Sequence, residues 1–428
     1  MRREASRSMA TDATATASPP KRARGSTRIL FLLGPAFVAA IAYVDPGNVA
    51  ANLTAGARFG YLLVWVLVAA NAMAVLVQYQ SAKLGLVTGR SLPELLGERM
   101  RPAARRAFWV QAELVAAATD IAEVIGGAIA LNLLFGLPLV VGGVIVGVVS
   151  ILLLTVQSRR GQRPFETVIL ALLAIIAIGF LAGLVVSPVS WPDAVGGLLP
   201  RFDGSGSVLL AASMLGATVM PHAIYLHSAL ARDRHGHQSS PRLLGRLLTA
   251  TRWDVLGALA IAGAVNIAML LVAAASLGGV KGTDTIEGAH AALSSALGPA
   301  IGVIFAIGLL ASGLASTSVG SYAGATIMAG LLRIRVPLLL RRVVTLVPAI
   351  VILAVGVDPT WALVLSQVFL SLGIPFALVP LMRLTGNRML MGTHANRLGM
   401  RVLGWLVVAL IVALNIALIV LTVAPMGG

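Results

Sequence analysis

The chain has 428 residues, of which 58% are hydrophobic and only 11% are charged. Apolar stretches of about 20 residues recur along it, and each is long enough to cross a bilayer, which excludes a soluble globular protein and predicts a polytopic helical membrane protein. Cysteine is absent, so disulfide bonds and thiolate metal sites are excluded.

The formal net charge of +16 is distributed unevenly between the loops. Eleven spans are predicted, at about 29–57, 60–83, 107–133, 136–156, 165–187, 207–230, 252–277, 293–330, 339–355, 360–383 and 402–424. All but three of the 32 basic residues then fall on one membrane face, the exceptions being Arg58, Arg201 and Lys281. The positive-inside rule places the N-terminus in the cytoplasm and, because the number of spans is odd, the C-terminus outside. The basic residues therefore indicate the orientation of the chain in the membrane and not a surface that binds nucleic acid.

The spans suggest an internal repeat behind a polar tail. Residues 1–28 are rich in Ala, Ser, Thr, Pro and Arg without apolar periodicity, which predicts a disordered cytoplasmic tail before a transporter domain at 29–424. Ten spans divide into two sets of five, about 29–187 and 207–383, and the helix at 402–424 is an addition. Because five is odd, the second set crosses in the opposite direction, which predicts an inverted repeat. No convincing cleavage site follows the first apolar run, so a signal peptide is not expected.

The first span is interrupted by Asp45-Pro46-Gly47-Asn48. A charge at mid-membrane costs roughly 2.5–3.5 kcal/mol even on the gentler insertion scales, so the carboxylate is expected to face a cavity or a ligand. Proline removes a backbone donor and glycine relaxes the chain, so the helix is predicted to unwind here. The alternative is a simple proline kink whose carboxylate is satisfied by a neighbouring helix.

The sixth span has a matching interruption, Gly216-Ala217-Thr218-Val219-Met220-Pro221-His222. Two broken spans in corresponding positions of two halves indicate a transporter binding site. Asp45 and Asn48 would offer oxygen ligands to a divalent cation. A methionine in an apolar span is usually a packing residue, but Met220 lies at the break, where its sulfur would favour Mn²⁺, Fe²⁺, Co²⁺ or Cd²⁺ over Mg²⁺ and Ca²⁺.

Ionisable residues in the third and sixth spans suggest a proton route. Glu113, Asp120 and Glu123 are separated by seven and three residues, which puts them on one stripe of a helix. Carboxylates on one intramembrane face are what a proton relay requires, and the deeper Asp120 and Glu123 are the better candidates. His222 is either a proton carrier or a second ligand, and His227 would pass protons inward or form a hydrogen bond.

Other polar residues in the spans have weaker interpretations. Arg341 or Arg342 is expected to pair with the carboxylates of the third span, although the sequence does not distinguish them. Gln367 is equally suited to ligation and to packing. The remaining expectations are interhelical hydrogen bonds at Asn71 and Gln78, and solvated or capping carboxylates at Glu166 and Asp254.

The combination of Asp45-Pro46-Gly47-Asn48 with Met220-Pro221-His222 resembles the natural resistance-associated macrophage protein (Nramp) family, whose members take up divalent transition metals, chiefly manganese and iron, with protons. The resemblance extends over nearly the whole membrane region and leaves out the N-terminal tail. It implies an all-α fold of the LeuT type. It also implies metal ligands at Asp45, Asn48, Met220, Gln367 and the carbonyls of Ala42 and Ala217. The implied proton route comprises Asp45, His222, Asp120, Glu123, Arg234, Arg341 and Arg342, with His227 as a further candidate.

The sequence thus predicts a monomeric transporter, not an enzyme, that imports Mn²⁺ or Fe²⁺, and also Co²⁺ or Cd²⁺, with protons across the plasma membrane by alternating access, without a cofactor. Magnesium is disfavoured because related magnesium carriers lack the methionine. An alternative is a sodium-coupled carrier of an organic substrate that uses Ser316 and Thr317, although Asp45 would repel a substrate carboxylate. A metalloenzyme is disfavoured because no H-E-x-x-H motif occurs. A channel stays open as an alternative.

Overall fold

The computed structural model describes residues 34–160, 162–236, 240–280, 282–283, 285–334 and 337–423, and the predicted tail at 1–28 lies outside them. The described residues form helices joined by short loops, with no strand among them. The helices are α1 (Pro35–Ala40), α2 (Pro46–Phe59), α3 (Val64–Thr88), α4 (Leu92–Arg99), α5 (Pro102–Phe135), α6 (Leu139–Arg160), α7 (Gln162–Val186), α8 (Trp191–Gly196), α9 (Gly204–Thr218), α10 (Pro221–His235), α11 (Pro241–Ser276), α12 (Ile286–Leu297), α13 (Pro299–Leu332), α14 (Leu338–Val355), α15 (Pro359–Thr385), α16 (Arg388–Met391) and α17 (Leu398–Val423).

Proline determines where many of these helices begin. Its fixed φ suits the first turn of a helix, where its missing N–H would have had no partner within the helix. The helices that begin in this way are α1, α2, α5, α10, α11, α13 and α15. Glycine in the left-handed conformation ends others, as at Gly89 after α3 and Gly136 after α5.

Eight helical segments among the described residues are long and apolar enough to cross a membrane by length and composition, with α9 and α10 counted as one. Two shorter apolar helices, Pro35–Val44 and Leu139–Thr155, lie within the first and fourth predicted spans. Each predicted span therefore contains a helix or a broken pair of helices. The total of eleven crossings remains a prediction.

Both predicted breaks are confirmed. After α1 the chain makes a 3-10 turn, Ile41–Val44, and Asp45 is extended (φ −72°, ψ 168°) before Pro46 starts α2. In the sixth span α9 ends at Thr218, and Met220 is extended (φ −65°, ψ 122°) before Pro221 starts α10. Proline at the first position of each second half removes a donor from the preceding turn, so neither helix continues through the break.

The helices pack around the two breaks, and α15 lies against both. A side-chain carbon added at Gly47 of α2 would lie 1.7 Å from Gln367 Nε2, and one added at Gly216 of α9 would lie 2.0 Å from the Gln367 backbone oxygen. At Gly47 the neighbour is the Gln367 side chain, which would have to move, whereas at Gly216 only glycine fits, because any larger residue would overlap the backbone of α15. Its Gln367 is thereby placed between the broken spans.

Candidate functional site

Asp45 is completely buried at the first break and is held by two helices. Its Oδ1 accepts hydrogen bonds from the backbone N–H of Asn48 (2.8 Å) and from Asn48 Nδ2 (2.7 Å). Its Oδ2 accepts from Gln367 Nε2 of α15 at 3.3 Å. The backbone bond makes Asp45 the N-cap of α2, since its side chain satisfies an N–H that the first turn leaves free.

The second break lies directly beside Asp45. Asn48 Nδ2 also donates to the carbonyl oxygen of Ala217 at the end of α9 (2.9 Å). Met220, three residues further on, is completely buried, and Ala42 in the 3-10 turn of the first span is also buried. The structure therefore gathers the backbone of the second break, Asn48, Asp45 and Gln367 into one cluster, as the pairing of broken spans predicts.

Two oxygen atoms in this cluster have no hydrogen-bond donor within the described part of the chain. They are Asn48 Oδ1 and Gln367 Oε1, and both are buried. Buried acceptors are rarely left without a partner, and a cation with oxygen ligands would satisfy both. No group of three or more His, Cys, Asp or Glu that could hold a metal ion occurs in the residues described. An ion bound here would therefore depend on one carboxylate together with neutral oxygens and the thioether.

Two of the three carboxylates of α5, those of Glu113 and Asp120, each lie near an arginine of α14. Arg341 Nη2 lies 2.6 Å from Glu113 Oε1, and Arg342 Nη1 lies 3.7 Å from Asp120 Oδ1. Both arginines thus pair with this helix, whereas the sequence left open which one would. Asp120 is buried together with Arg342, so the pair is shielded from solvent on all sides.

Glu123 lies beside Asp120 on α5, and both face α13. A side-chain carbon added at Gly320 of α13 would lie 3.1 Å from each carboxylate oxygen of Glu123 and 3.3 Å from Asp120 Oδ1. When two acidic groups share one buried pocket, ionisation of both at once is unfavourable, because like charges repel strongly where water is excluded. This arrangement suits groups that exchange a proton.

The two histidines of α10 have different surroundings. His222 is buried in the first turn, with Nδ1 3.5 Å from Thr119 Oγ1 of α5, and its Nε2 has no hydrogen-bond partner among the described residues. His227 donates from Nδ1 to Gln78 Oε1 of α3 (2.7 Å), and Gln78 Nε2 donates to the hydroxyl of Tyr43. The expected interhelical bonding of Gln78 is confirmed, and it joins α3 and α10 to the first span.

Arg234, a predicted member of the proton route, forms an ion pair with a carboxylate of α7. Its Nη1 is 2.8 Å from Glu166 Oε2 of α7. Asp254 of α11 accepts the backbone N–H groups of Gly34 and Ala36 at 3.0 Å each, so it caps α1 across more than 200 residues. Capping is thus confirmed for Asp254, but neither carboxylate is solvated, because both are buried.

Sequence analysis missed two asparagines that hold the broken span. Asn266 Nδ2 of α11 donates to the Tyr43 carbonyl (2.7 Å), and Asn52 Nδ2 of α2 donates to Asn266 Oδ1 (3.0 Å). The sequence feature that could have predicted these contacts is an uncharged amide side chain within an apolar span.

The alternative of a sodium site requires the hydroxyls of Ser316 and Thr317. Ser316 donates its hydroxyl hydrogen to the Ser312 carbonyl in its own helix (2.7 Å).

Two broken helices that meet at a buried carboxylate within a polytopic helical membrane protein are the arrangement of transporters with a LeuT-like fold. The family model described as "Natural resistance-associated macrophage protein-like" (Nramp) matches residues 36–421, and the chain belongs to this family. It is therefore a transporter and not an enzyme.

Relatives of known name agree with this assignment. A Mycobacterium tuberculosis protein named divalent metal cation transporter MntH is 64% identical over 395 residues, which cover 92% of each chain. A Deinococcus radiodurans protein of the same name is 46% identical over 394 residues, 92% of this chain and 90% of the relative.

Solved structures share the fold. A manganese transporter of Eremococcus coleocola superposes with a TM-score of 0.82 at 32% identity, covering 91% of this chain and 86% of the other. The transporter MhsT, solved with L-phenylalanine, has a TM-score of 0.58 at 14% identity over 93% of this chain and 98% of its own, a likeness of fold alone.

Proposed function

We propose that this chain imports divalent transition-metal ions, Mn²⁺ or Fe²⁺ with Co²⁺ and Cd²⁺ as further substrates, together with protons across the plasma membrane by alternating access. The observation that carries the proposal is the buried carboxylate of Asp45 beside two acceptor oxygens, Asn48 Oδ1 and Gln367 Oε1, that have no donor among the described residues. The names of the relatives support the substrate class.

In this proposal the ion is held where the two broken spans meet. Its ligands are the side chains of Asp45, Asn48, Met220 and Gln367 and the carbonyl oxygens of Ala42 and Ala217. The ligand set carries a single formal charge, and its oxygen atoms bind hard and borderline divalent ions alike. The sulfur therefore decides which metal ion is preferred, because a thioether binds soft and borderline ions but gives nothing to Mg²⁺ or Ca²⁺. The Asn48 amide now donates to the Ala217 carbonyl, so binding requires that these groups rearrange around the ion.

Protons would leave the site through the carboxylates of α5. His222 lies on the same break as Met220 and close to Thr119, the residue before Asp120. From Asp120 and Glu123 the route passes Arg342 and Arg341 toward the arginine-rich face, with Arg234 and His227 as further members. The membrane potential supports import, since moving two charges inward is worth about 4.6 kcal/mol per 100 mV.

Proteoliposomes that contain the purified chain and an internal pH-sensitive dye test cargo and coupling together. We expect Mn²⁺ and Fe²⁺ to enter and to acidify the lumen, and Asp45→Ala to reduce uptake to the level of empty vesicles, because the only charged ligand is lost. Asp203→Ala, which removes an exposed loop carboxylate, is the matched control and should transport normally. Normal uptake by Asp45→Ala would refute the proposed site, and metal uptake without acidification would refute the proton coupling.

A further inference from the structure

A cavity of about 260 Å³ lies between α3, α9 and α17, and none of its lining residues is a candidate metal ligand. Its walls include Trp65 and Met73 of α3, Ala211 and Leu215 of α9, and Ala413 and Ala417 of α17. Among the lining residues that the structure describes, no side chain is charged, and the one side-chain nitrogen, Trp65 Nε1, already donates to the Arg201 carbonyl at 3.3 Å. Walls of this kind offer no unpaired polar group to water, so the space suits an apolar occupant.

The cavity is elongated along the helices and is reached from the bilayer. Its lining extends along α3 from Trp65 to Met73 and along α17 from Leu410 to Ala417, which is about 10–12 Å at the rise of an α-helix. Ala413 and Ala417 are exposed on the lipid-facing side of α17, whereas Ala211 and Leu215 form a buried wall on α9. The shape and the access are those required by a hydrocarbon chain that enters from the side.

One end of the cavity has the features of a membrane interface. Phe202 lines that end and packs edge-on against Trp65, with ring centroids 5.4 Å apart. Tryptophan is enriched at the level of lipid headgroups, so Trp65 marks this end of the cavity. The adjoining Arg201 is exposed, and none of the ion pairs among the described residues includes it. It lines a neighbouring hollow with Arg58, where the side chains of Asp193 and Asp203 also lie.

We propose that this cavity binds a segment of one acyl chain of a phospholipid, whose phosphate is held by Arg201. A guanidinium recognises phosphate through paired N–H donors, and Arg201 directly precedes Phe202 and accepts the Trp65 N–H with its carbonyl oxygen at the aromatic end of the cavity. Ala211 and Leu215 belong to α9, which also carries Ala217, the acceptor of the Asn48 amide. A bound chain fills the space next to α9 and stabilises the arrangement in which α9 packs between α3 and α17.

Native mass spectrometry of the chain in mild detergent with added phosphatidylglycerol tests the acyl-chain site. We expect the unmodified protein to retain one phospholipid and Ala413→Phe, which fills the cavity from an exposed position, to retain about tenfold less, corresponding to about 1.4 kcal/mol. Ala409→Phe is the matched control, because Ala409 is also exposed on α17, one turn earlier, and does not line the cavity. Equal retention by the two phenylalanine variants would overturn the proposal.

The phosphate contact is tested with a second ligand. Arg201→Gln is expected to weaken retention of phosphatidylglycerol but not of diacylglycerol with the same chains, which lacks the phosphate. Arg388→Gln, which removes an exposed arginine on the opposite face, is the control and should retain both. If Arg201→Gln retains phosphatidylglycerol fully, or loses diacylglycerol equally, Arg201 does not bind the phosphate.

Discussion

Asp45 receives three hydrogen bonds, from the backbone and the side-chain amide of Asn48 and from the side-chain amide of Gln367. Donors on α2 and α15 therefore surround a carboxylate that would otherwise be costly at this depth. The same two amide groups carry the oxygens that the described residues leave without a donor. Each amide can thus contribute either hydrogen or oxygen, depending on what lies beside the carboxylate.

Selectivity is tested at Met220. We expect Met220→Ala to retain Mn²⁺ uptake but to admit Ca²⁺ or Mg²⁺, with Ca²⁺ uptake rising by about tenfold, as for a change in discrimination of about 1.4 kcal/mol. The reason is that hard ions lose nothing when the sulfur is removed, whereas soft ions lose a ligand. The measurement is uptake into proteoliposomes across a panel of ions.

Met214→Ala is the control for that experiment, because Met214 is also fully buried, on α9, six residues before Met220. It removes the same volume from the core and should leave calcium exclusion intact. If calcium remains excluded in Met220→Ala as well, the sulfur does not set selectivity.

Among the elements, α1 depends on a distant residue for its N-cap. Gly34 precedes Pro35 and has no side chain, so the first turn takes its acceptor from Asp254 of α11. We expect Asp254→Ala to destabilise the docking of α1 by about 1–2 kcal/mol, the usual effect of losing an N-cap. Hydrogen exchange at the Gly34 and Ala36 amides should become faster, while Asp254→Asn, which retains one acceptor oxygen, should show a smaller effect. Unchanged exchange at these two amides in Asp254→Ala would contradict the capping role.

The added helix α17 supports α15 at a proline. Pro375 has no N–H, so the Ser371 carbonyl lacks its usual donor four residues later. Asn415 Nδ2 of α17 supplies that donor at 2.9 Å, and Ser371 Oγ donates to Asn415 Oδ1 at 2.7 Å. The two helices are therefore joined by a pair of hydrogen bonds one turn from Gln367.

We expect Asn415→Leu to lower the free energy of unfolding by about 1–3 kcal/mol, because a buried carbonyl loses the one side-chain donor that it has among the described residues. Thermal unfolding in detergent measures the change. A double-mutant cycle of Asn415→Ala with Ser371→Ala should show coupling, since Ser371 Oγ also bonds to Asn415. Strictly additive effects would mean that the hydroxyl bond contributes nothing.

At the scale of the whole molecule, the chain's lack of cysteine makes its orientation testable with single-cysteine variants. Val195 and Met389 are 63% and 99% exposed and lie on opposite predicted faces. In intact cells a membrane-impermeant maleimide should label Val195→Cys and should label Met389→Cys only after permeabilisation, because positive charge keeps the arginine-rich face inside. The reverse labelling pattern would show that the orientation in the membrane is opposite to the one predicted.

The breaks could be predicted because proline changes the backbone locally, and Pro46 and Pro221 start helices where expected. The sequence could predict that an arginine of α14 pairs with the α5 carboxylates, since a buried charge requires a partner, but not which arginine pairs with which carboxylate. The contact of Asp254 with Gly34 could not, because helices that are apolar on most sides give no pattern from which their rotation or neighbours can be read.

The tight approach of Gly47 and Gly216 to Gln367 sets a limit on how the three helices come together. A carbon atom at either glycine would lie within 2.0 Å of α15, about half of an ordinary nonbonded separation of roughly 3.5–4.0 Å. At Gly216 the misfit is with backbone atoms of Gln367 and Ser371, which no side-chain rotation relieves, so one added methyl group there would push α9 away from α15. At Gly47 the Gln367 side chain could turn aside, but it would then lose its hydrogen bond to Asp45.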